Sequence, residues 1–383
     1  MSYLPANSHY HLPRMKEMGR VYWCHSVGIL GIQLAAIFVS IFLLKSGYSF
    51  REVLVFLLLQ QVLSVALQYP VNKLFAYVRP HYLLAIGRIW FAIFFCLLAT
   101  LNEHHWPLAL LALFWALDRT MYWSAFHYVF SMARAHKHGN RQIAGINALA
   151  ILAATAAPAI GGVIATVFGI NYTYIVAVLF IMLAAIPMIT ADKGPERTKI
   201  QIPRHEIKAM RPDMLANMFN GTVVAAEQNI WPMFVFLIVT SYAGIGALSS
   251  VIAAASVGVM LYVGRHEEVR GDQHYIKQGM AAYSLASVGR VLVQSTTQVF
   301  GLNMLSGIGR SLYVTPFMNR YYLNSDGEHK LGYITIMETA FEFGSVLYIL
   351  ALLALTLLFS ASTVLAIGLG IVAVSVLGVR LIR

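Results

Sequence analysis

Residues 82–101 read YLLAIGRIWFAIFFCLLATL and contain one charged side chain, Arg88. About twenty consecutive apolar residues are what an α-helix needs to cross the hydrocarbon core of a bilayer. Similar stretches recur along the chain, of which 59% is hydrophobic and 11% is charged. Soluble chains carry charge at about a quarter of their positions, so too little polar surface is present to cover a water-soluble globule. The sequence therefore predicts an all-α polytopic membrane protein with the lipid bilayer as its main solvent.

Polar and turn residues divide the chain into twelve predicted transmembrane segments. In chain order, these segments are 21–44, 52–69, 82–101, 106–132, 142–168, 171–190, 215–240, 246–263, 275–294, 299–321, 330–357 and 361–379. The polar stretch 191–212 interrupts the series at its middle. We therefore predict an N-terminal six-helix bundle over residues 1–190, a basic cytoplasmic linker over 191–212, and a C-terminal six-helix bundle over 213–383.

The distribution of basic residues predicts the orientation of the chain. Of the 27 Lys and Arg residues, 21 lie in the termini and in the loops that follow even-numbered segments. The loops on the opposite side hold only Lys45 and Arg51. By the positive-inside rule, both termini face the cytoplasm of a multi-pass protein in the inner (plasma) membrane. The net charge of +11 follows from these loops, and no basic run interleaved with aromatic residues indicates binding to nucleic acid.

Segments 4 and 10 resemble each other residue by residue. Residues 118–126 read DRTMYWSAF and residues 309–317 read GRSLYVTPF, at an offset of 191 residues. Weaker matches follow the same order along the chain; for example, a His-Tyr pair opens segment 3 at His81 and segment 9 at His274. An ordered series of matches on either side of a polar linker indicates a duplicated six-helix unit, so the two predicted bundles are pseudo-symmetric.

With twelve segments in two halves, both termini inside and a basic central loop, the chain resembles the major facilitator superfamily over nearly its whole length. Residues 157–162, APAIGG, resemble the family motif Gly-Pro-x-x-Gly-Gly, which is common among its proton-coupled antiporters. Small residues of this kind allow close helix approach, and ordinary helix packing explains them equally well. The family signature Gly-x-x-x-Asp-Arg-x-Gly-Arg-Arg of loop 2–3 is degenerate here, because residues 72–81 read NKLFAYVRPH and lack both the Asp and the Gly.

Arginines within the predicted segments are candidates for substrate binding, because a charge in hydrocarbon normally faces a cavity or a partner. Arg119 and Arg310 hold equivalent positions in the two halves. The resemblance places segments 1, 4, 7 and 10 around a central cavity, which these arginines are then expected to face from opposite sides. Guanidinium groups match a carboxylate or phosphate in bidentate fashion, but each arginine could instead pair with an acidic residue of the protein. Four further candidate contacts to substrate are the side chains of Gln33, Tyr122, Asn229 and Tyr313, for which helix packing is the simpler interpretation.

Carboxyl groups within the segments are candidates for proton coupling. Glu338 and Glu342 are spaced i, i+4 and share one helix face. Two carboxylates this close in a low dielectric resist double ionisation, which suits a proton carrier. Glu227 in segment 7 and Asp118 in segment 4 are further candidates. Pairing with Arg310 is the structural alternative for one member of the 338/342 pair.

These observations predict a secondary active transporter for a small anionic or amphipathic solute, with proton coupling through the carboxyl groups within the segments. Its expected partners are the solute, protons and lipid, and the expected state is a monomer. A lipid or lipid-linked head-group translocase on the same fold is the main alternative. An intramembrane enzyme and a sensor are less favoured, because no nucleophile–base signature and no additional soluble domain are found. The histidines of the loops lack metal-ligand spacing, so we predict neither a metal nor a cofactor.

Overall fold

The computed structural model describes residues 15–134, 155–191, 196–202, 206–270 and 272–383, and every regular element in these ranges is helical. The helices of the first part of the chain are α1 (Met15–Ala35), α2 (Val39–Lys45), α3 (Phe50–Lys73), α4 (Pro80–Ala99), α5 (Leu101–His104), α6 (Leu108–Arg134), α7 (Thr155–Val167) and α8 (Ile170–Ile189). Those of the second part are α9 (Ile207–Ala225), α10 (Trp231–Phe236), α11 (Tyr242–Arg270), α12 (Asp272–Val291), α13 (Thr296–Asn324), α14 (Lys330–Leu355) and α15 (Ala361–Ser375).

The prediction of an all-helical membrane protein is confirmed by these helices, whereas the count of twelve segments stays a prediction. By length and composition, seven helical stretches of the described residues can cross a membrane. Predicted segments 4, 7, 9 and 10 are not among these seven stretches. They coincide with helices α6, α9–α10, α12 and α13, in which polar residues dilute the apolar ones. Helix α9 begins at Ile207, within the stretch predicted to be linker. A polar first turn is indistinguishable from a loop by hydropathy alone.

Helix packing forms two groups that correspond to the two parts of the chain. In the first group α1 packs on α8, α4 packs on α6 and α8, and α3 packs on α6. In the second group α12 packs on α13 and α15, α9 packs on α14, and α11 packs on α13. The groups meet mainly where α3 and α6 contact α14 and where α2 contacts α10. Helix α14 therefore forms the main contact between the two groups.

Small residues bring helices into backbone contact at the motif of residues 157–162. A Cβ atom added to Gly161 of α7 would lie 1.9 Å from the carbonyl oxygen of Leu34 on α1. A Cβ atom added to Gly246 of α11 would lie 2.1 Å from the carbonyl oxygen of Pro158. No side chain fits at either position, so glycine is what allows α7 to seat between α1 and α11.

Predicted segments 1 and 7 are both interrupted near their middles. A 3₁₀ turn, Ala36–Phe38, separates α1 from α2, and a π-helical turn, Ala226–Ile230, separates α9 from α10. Pro232 follows the π turn and cannot supply the backbone N–H that a continuous helix requires. The two interruptions touch each other, and beside them Ser40 donates a hydrogen bond to Asn229 at 3.3 Å. The turn that carries Glu227 and Asn229 thus lies where the two helix groups meet.

Equivalent contacts in the two parts support the repeat seen in the sequence. Gly87 of α4 packs against Tyr122 of α6, where an added Cβ atom would lie 2.9 Å from the tyrosine Cβ. Gly279 of α12 packs against Tyr313 of α13, where an added Cβ atom would lie 2.6 Å from the tyrosine nitrogen. The same small-residue contact therefore holds corresponding helices together in each part.

Candidate functional site

A cluster of ionisable side chains joins α6 to α14 across the two helix groups. The Nε atom of Arg119 donates a hydrogen bond to Oε1 of Glu342, and the guanidinium carbon lies 4.9 Å from the ring centre of Phe341. The side chain of Arg119 is 15% exposed and that of Glu342 is 2% exposed. The second carboxylate oxygen of Glu342 makes no hydrogen bond to any described residue. Arg119 therefore pairs with an acidic residue of the protein, which is one of the two alternatives that the sequence left open.

One turn along α14, Glu338 is held by a tyrosine and a histidine. The hydroxyl of Tyr321 donates to Oε1 of Glu338 at 3.1 Å. Nε2 of His127 lies 3.5 Å from the same oxygen, and Nδ1 of His127 shares a hydrogen bond of 2.7 Å with the hydroxyl of Tyr322. We call Arg119, His127, Glu338 and Glu342 the α6–α14 cluster. It combines a fixed cation, an imidazole and two carboxyl groups.

Sequence reasoning did not identify His127 as a site residue. It considered histidines only in loops, although His127 lies within α6, eight residues after Arg119. An ionisable residue inside a membrane span was the available signal. Because α6 and α14 run antiparallel, the later residue of α6 meets the earlier carboxyl group of α14.

A second ion pair is buried within the first helix group. Arg88 of α4, which is fully buried, donates from Nη1 to Oδ1 of Asp118 on α6 at 3.3 Å. Its guanidinium carbon lies 3.3 Å from the ring centre of Tyr122, and the hydroxyl of Tyr122 shares a hydrogen bond of 2.8 Å with His25. Asp118 and Tyr122, predicted as coupling and binding residues, are thus packed inside the helix group.

A third ion pair is buried within the second helix group. Glu227 accepts hydrogen bonds from both terminal nitrogens of Arg290 on α12, at 2.8 and 3.1 Å, and a further one from the hydroxyl of Tyr283. Arg290 also donates to Ser306 at 2.6 Å, and its guanidinium carbon lies 4.2 Å from the ring centre of Trp231. With both oxygens bonded, Glu227 has the environment of a structural ion pair.

The remaining predicted residues lie apart from the α6–α14 cluster. Arg310 is half-buried on α13 beside Tyr313 and within electrostatic reach of Glu227. Among the described residues, it forms no ion pair. Tyr313 is fully buried. Gln33 is exposed on α1, and Asn229 is buried in its contact with Ser40. That Arg119 and Arg310 face one cavity stays a prediction.

Polar contacts close both ends of the interface between α3 and α14. At the end predicted to face the cytoplasm, Asn72 donates to Thr335 at 2.8 Å. At the opposite end, Nε of Arg51 donates to Oγ1 of Thr356 at 3.1 Å. Lys45 donates nearby to the carbonyl oxygen of Thr240 at 3.2 Å. The α6–α14 cluster lies between these two closed ends.

Comparison with known proteins shows the fold but no close relative. No family model matches the chain, and no curated protein sequence matches it. Among solved structures, the chain is similar to the nucleoside transporter NupG, with a TM-score of 0.67 and 10% sequence identity over 95% of this chain and 98% of NupG. An identity this low shows a shared architecture rather than a shared substrate. The chain thus shares its fold with a nucleoside transporter.

Proposed function

We propose that the protein is a secondary active transporter that moves a small solute by alternating access between two six-helix bundles, residues 1–190 and 213–383. The observation that carries this proposal is the α6–α14 cluster, in which Arg119 and Glu342 pair across the two helix groups. The Arg290–Glu227 pair is fully bonded within one helix group, whereas the Arg119–Glu342 pair crosses the groups and leaves one carboxylate oxygen without a hydrogen bond to a described residue, so it is the easier pair to break. Contacts of this kind suit an interface that opens and recloses. The fold shared with NupG supports the same conclusion.

The α6–α14 cluster also supplies groups for proton coupling. Glu338 contacts a tyrosine hydroxyl and an imidazole, so it can gain or lose a proton without stranding a fixed cation. Arg119 can exchange between Glu342 and Glu338, because both carboxyl groups lie on the same face of α14 and interact with it electrostatically. We therefore assign the proton to this pair of carboxyl groups. Glu227 and Asp118, each paired with its own arginine, are the weaker candidates.

The substrate is proposed as a small solute, anionic or amphipathic, and nucleosides are the first to test because of the fold shared with NupG. Proteoliposomes that contain the purified protein and have an alkaline interior should accumulate a labelled solute. This accumulation should stop when a protonophore is added. Glu338→Gln should reduce accumulation driven by a pH gradient by at least about tenfold, because the amide cannot carry a proton. Exchange of labelled for unlabelled solute at equal pH should be partly retained, since it needs no net proton release.

Two controls make this experiment decisive. Lys277→Gln changes an exposed residue of α12 and should transport as the unchanged protein does. A labelled phospholipid in the same vesicles tests the lipid translocase. Normal pH-driven accumulation by Glu338→Gln would refute the assignment of the proton, and movement of lipid without solute would refute the transport proposal itself.

A further inference from the structure

The charges within the membrane-spanning helices do not all find a partner. Away from their ends, the segments contain four arginines, at positions 88, 119, 290 and 310, and four carboxyl groups, at positions 118, 227, 338 and 342. Three ion pairs are formed, and they are Arg88 with Asp118, Arg119 with Glu342 and Arg290 with Glu227. Arg310 and Glu338 are left over among the described residues of these segments. The pairing therefore leaves one cation and one carboxyl group.

The predicted segment 299–321 places Arg310 at mid-membrane, where an uncompensated charge is most costly. Arg310 is the central residue of α13, which runs from Thr296 to Asn324, and its Nε atom is buried without a hydrogen bond. The hydroxyl of the fully buried Tyr313 side chain lies beside Arg310 and offers a neutral contact, which does not compensate the positive charge. A guanidinium group at mid-membrane that is not neutralised by the protein must face water or a ligand instead of lipid.

The groups around Arg310 are already engaged with each other. Glu227 is the carboxylate within electrostatic reach, and its oxygens accept hydrogen bonds from Arg290 and Tyr283. Glu227 thus compensates Arg290, and Arg310 adds a positive charge that no described carboxylate pairs with. An anion with a planar carboxylate or a phosphate would restore the balance and match the guanidinium fork.

Glu338 of α14 is the carboxyl group that these ion pairs leave without an arginine partner. Its neighbours are Tyr321, His127 and Arg119, and Arg119 is already paired with Glu342. His127 in turn contacts Tyr322 and interacts electrostatically with Arg119. One added proton makes Glu338 neutral and leaves the remaining ion pairs intact.

We propose that Arg310 binds the negative group of a small organic monoanion and that Glu338 takes up one proton in the same loaded state. This inference rests on the proposed transport function. One anion compensates Arg310 and one proton compensates Glu338, so the loaded carrier has no unpaired charge within the bilayer. One negative and one positive charge then cross together, and transport is electroneutral symport.

Binding is tested by thermal shift with two matched pairs of probes at constant ionic strength. Each pair has a neutral and a monoanionic member, uridine with orotidine and nicotinamide with nicotinate. Stabilisation is expected from at least one anion and not from its neutral counterpart. Arg310→Gln should abolish it, and Arg310→Lys should weaken binding by roughly tenfold, because a point charge replaces the planar fork. Lys277→Gln serves as the charge-matched control.

Stabilisation by the neutral members, retention of anion binding in Arg310→Gln, or no effect of either anion would overturn the assignment of Arg310. Arg310→Lys is the control for misfolding, because it keeps the charge. Without ligand, this variant should have the melting temperature of the unchanged protein.

Electroneutrality is tested by uptake of the stabilising anion into proteoliposomes clamped with valinomycin. A potential of about 100 mV of either sign should change the initial rate by less than about twofold, whereas an alkaline interior should raise it. Uptake driven by the potential would overturn the one-to-one stoichiometry. If the Arg310→Gln variant still transports a neutral solute together with protons, the proposed function holds and this inference is refuted. If no solute crosses at all, the proposed function itself fails.

Discussion

The buried carboxylates of this protein differ in how completely they are bonded. Glu227 accepts three hydrogen bonds, from two nitrogens of Arg290 and from Tyr283. Glu342 accepts one from Arg119, and its other oxygen makes no hydrogen bond to a described residue. A fully bonded carboxylate is costly to disturb, while a partly bonded one can change partners. We therefore expect the first pair to hold helices together and the second to take part in transport.

The structural role of Glu227 predicts a strongly non-additive effect on stability. Glu227→Leu leaves the guanidinium of Arg290 buried without its partner, which costs about 3–5 kcal/mol of folding free energy. The double variant Glu227→Leu with Arg290→Met removes both charges and should regain most of that loss. Thermal unfolding in detergent, monitored for both variants, measures the difference. If Glu227→Gln instead keeps its melting temperature and loses pH-driven transport, Glu227 belongs to the coupling machinery.

At the scale of elements, α7 is positioned by glycine. A Cβ atom at Gly161 would clash with a backbone carbonyl of α1, and backbone atoms cannot move aside as a flexible side chain does. The contact also explains the small-residue motif without any direct role in proton coupling. Helix approach of this kind is a main source of stability in a bilayer, where lipid tails are as apolar as the side chains.

Gly161→Ala should therefore destabilise the protein by about 1–3 kcal/mol, as overpacking does in well-packed interiors. The matched control is Gly370→Ala in α15, where an added Cβ atom meets nothing within 4 Å. Melting temperature and the yield of monodisperse protein after detergent extraction are the readouts. Equal behaviour of the two variants would show that α7 shifts to relieve the contact.

At the scale of the molecule, the two basic residues that depart from the positive-inside bias both bridge the helix groups. Lys45 donates to the carbonyl oxygen of Thr240, and its ammonium lies 4.1 Å from the ring centre of Tyr242. Arg51 bonds Thr356 just beyond the C-terminal end of α14. Cations are favourable at the negative end of a helix dipole, so these positions suit a contact that closes this end of the protein.

Replacing Lys45 and Arg51 together by Ala should favour opening at this end. Each contact contributes about 0.5–1 kcal/mol, so the ratio of closed to open molecules should fall by roughly 5–30-fold. Spin labels at Ser49 and Leu358, both exposed near this end, should report a longer distance by double electron–electron resonance. The control is Lys330→Ala, which removes an exposed pair with Asp326 near the start of α14. An unchanged distance in the double variant would exclude this closing role.

The sequence alone predicted that the chain is an all-helical membrane protein and which charged residues lie within its apolar segments. These properties follow from the local sum of apolar side chains over about twenty residues, so no tertiary information is needed. The repeated pattern around Arg119 and Arg310 was likewise readable. The start of α9 at Ile207 was not, because a polar helical turn has no hydropathy signal.

Only the tertiary structure decided which charges neutralise each other. Arg119 and Glu342 are separated by 223 residues, and their meeting depends on the rotation and antiparallel alignment of α6 and α14. Equivalent positions in the sequence repeat did not imply equivalent partners, since Arg119 pairs with a carboxylate of the other helix group whereas Arg310 pairs with none among the described residues. Charge pairing is a property of three-dimensional proximity in a low dielectric, which the order of residues along the chain does not specify.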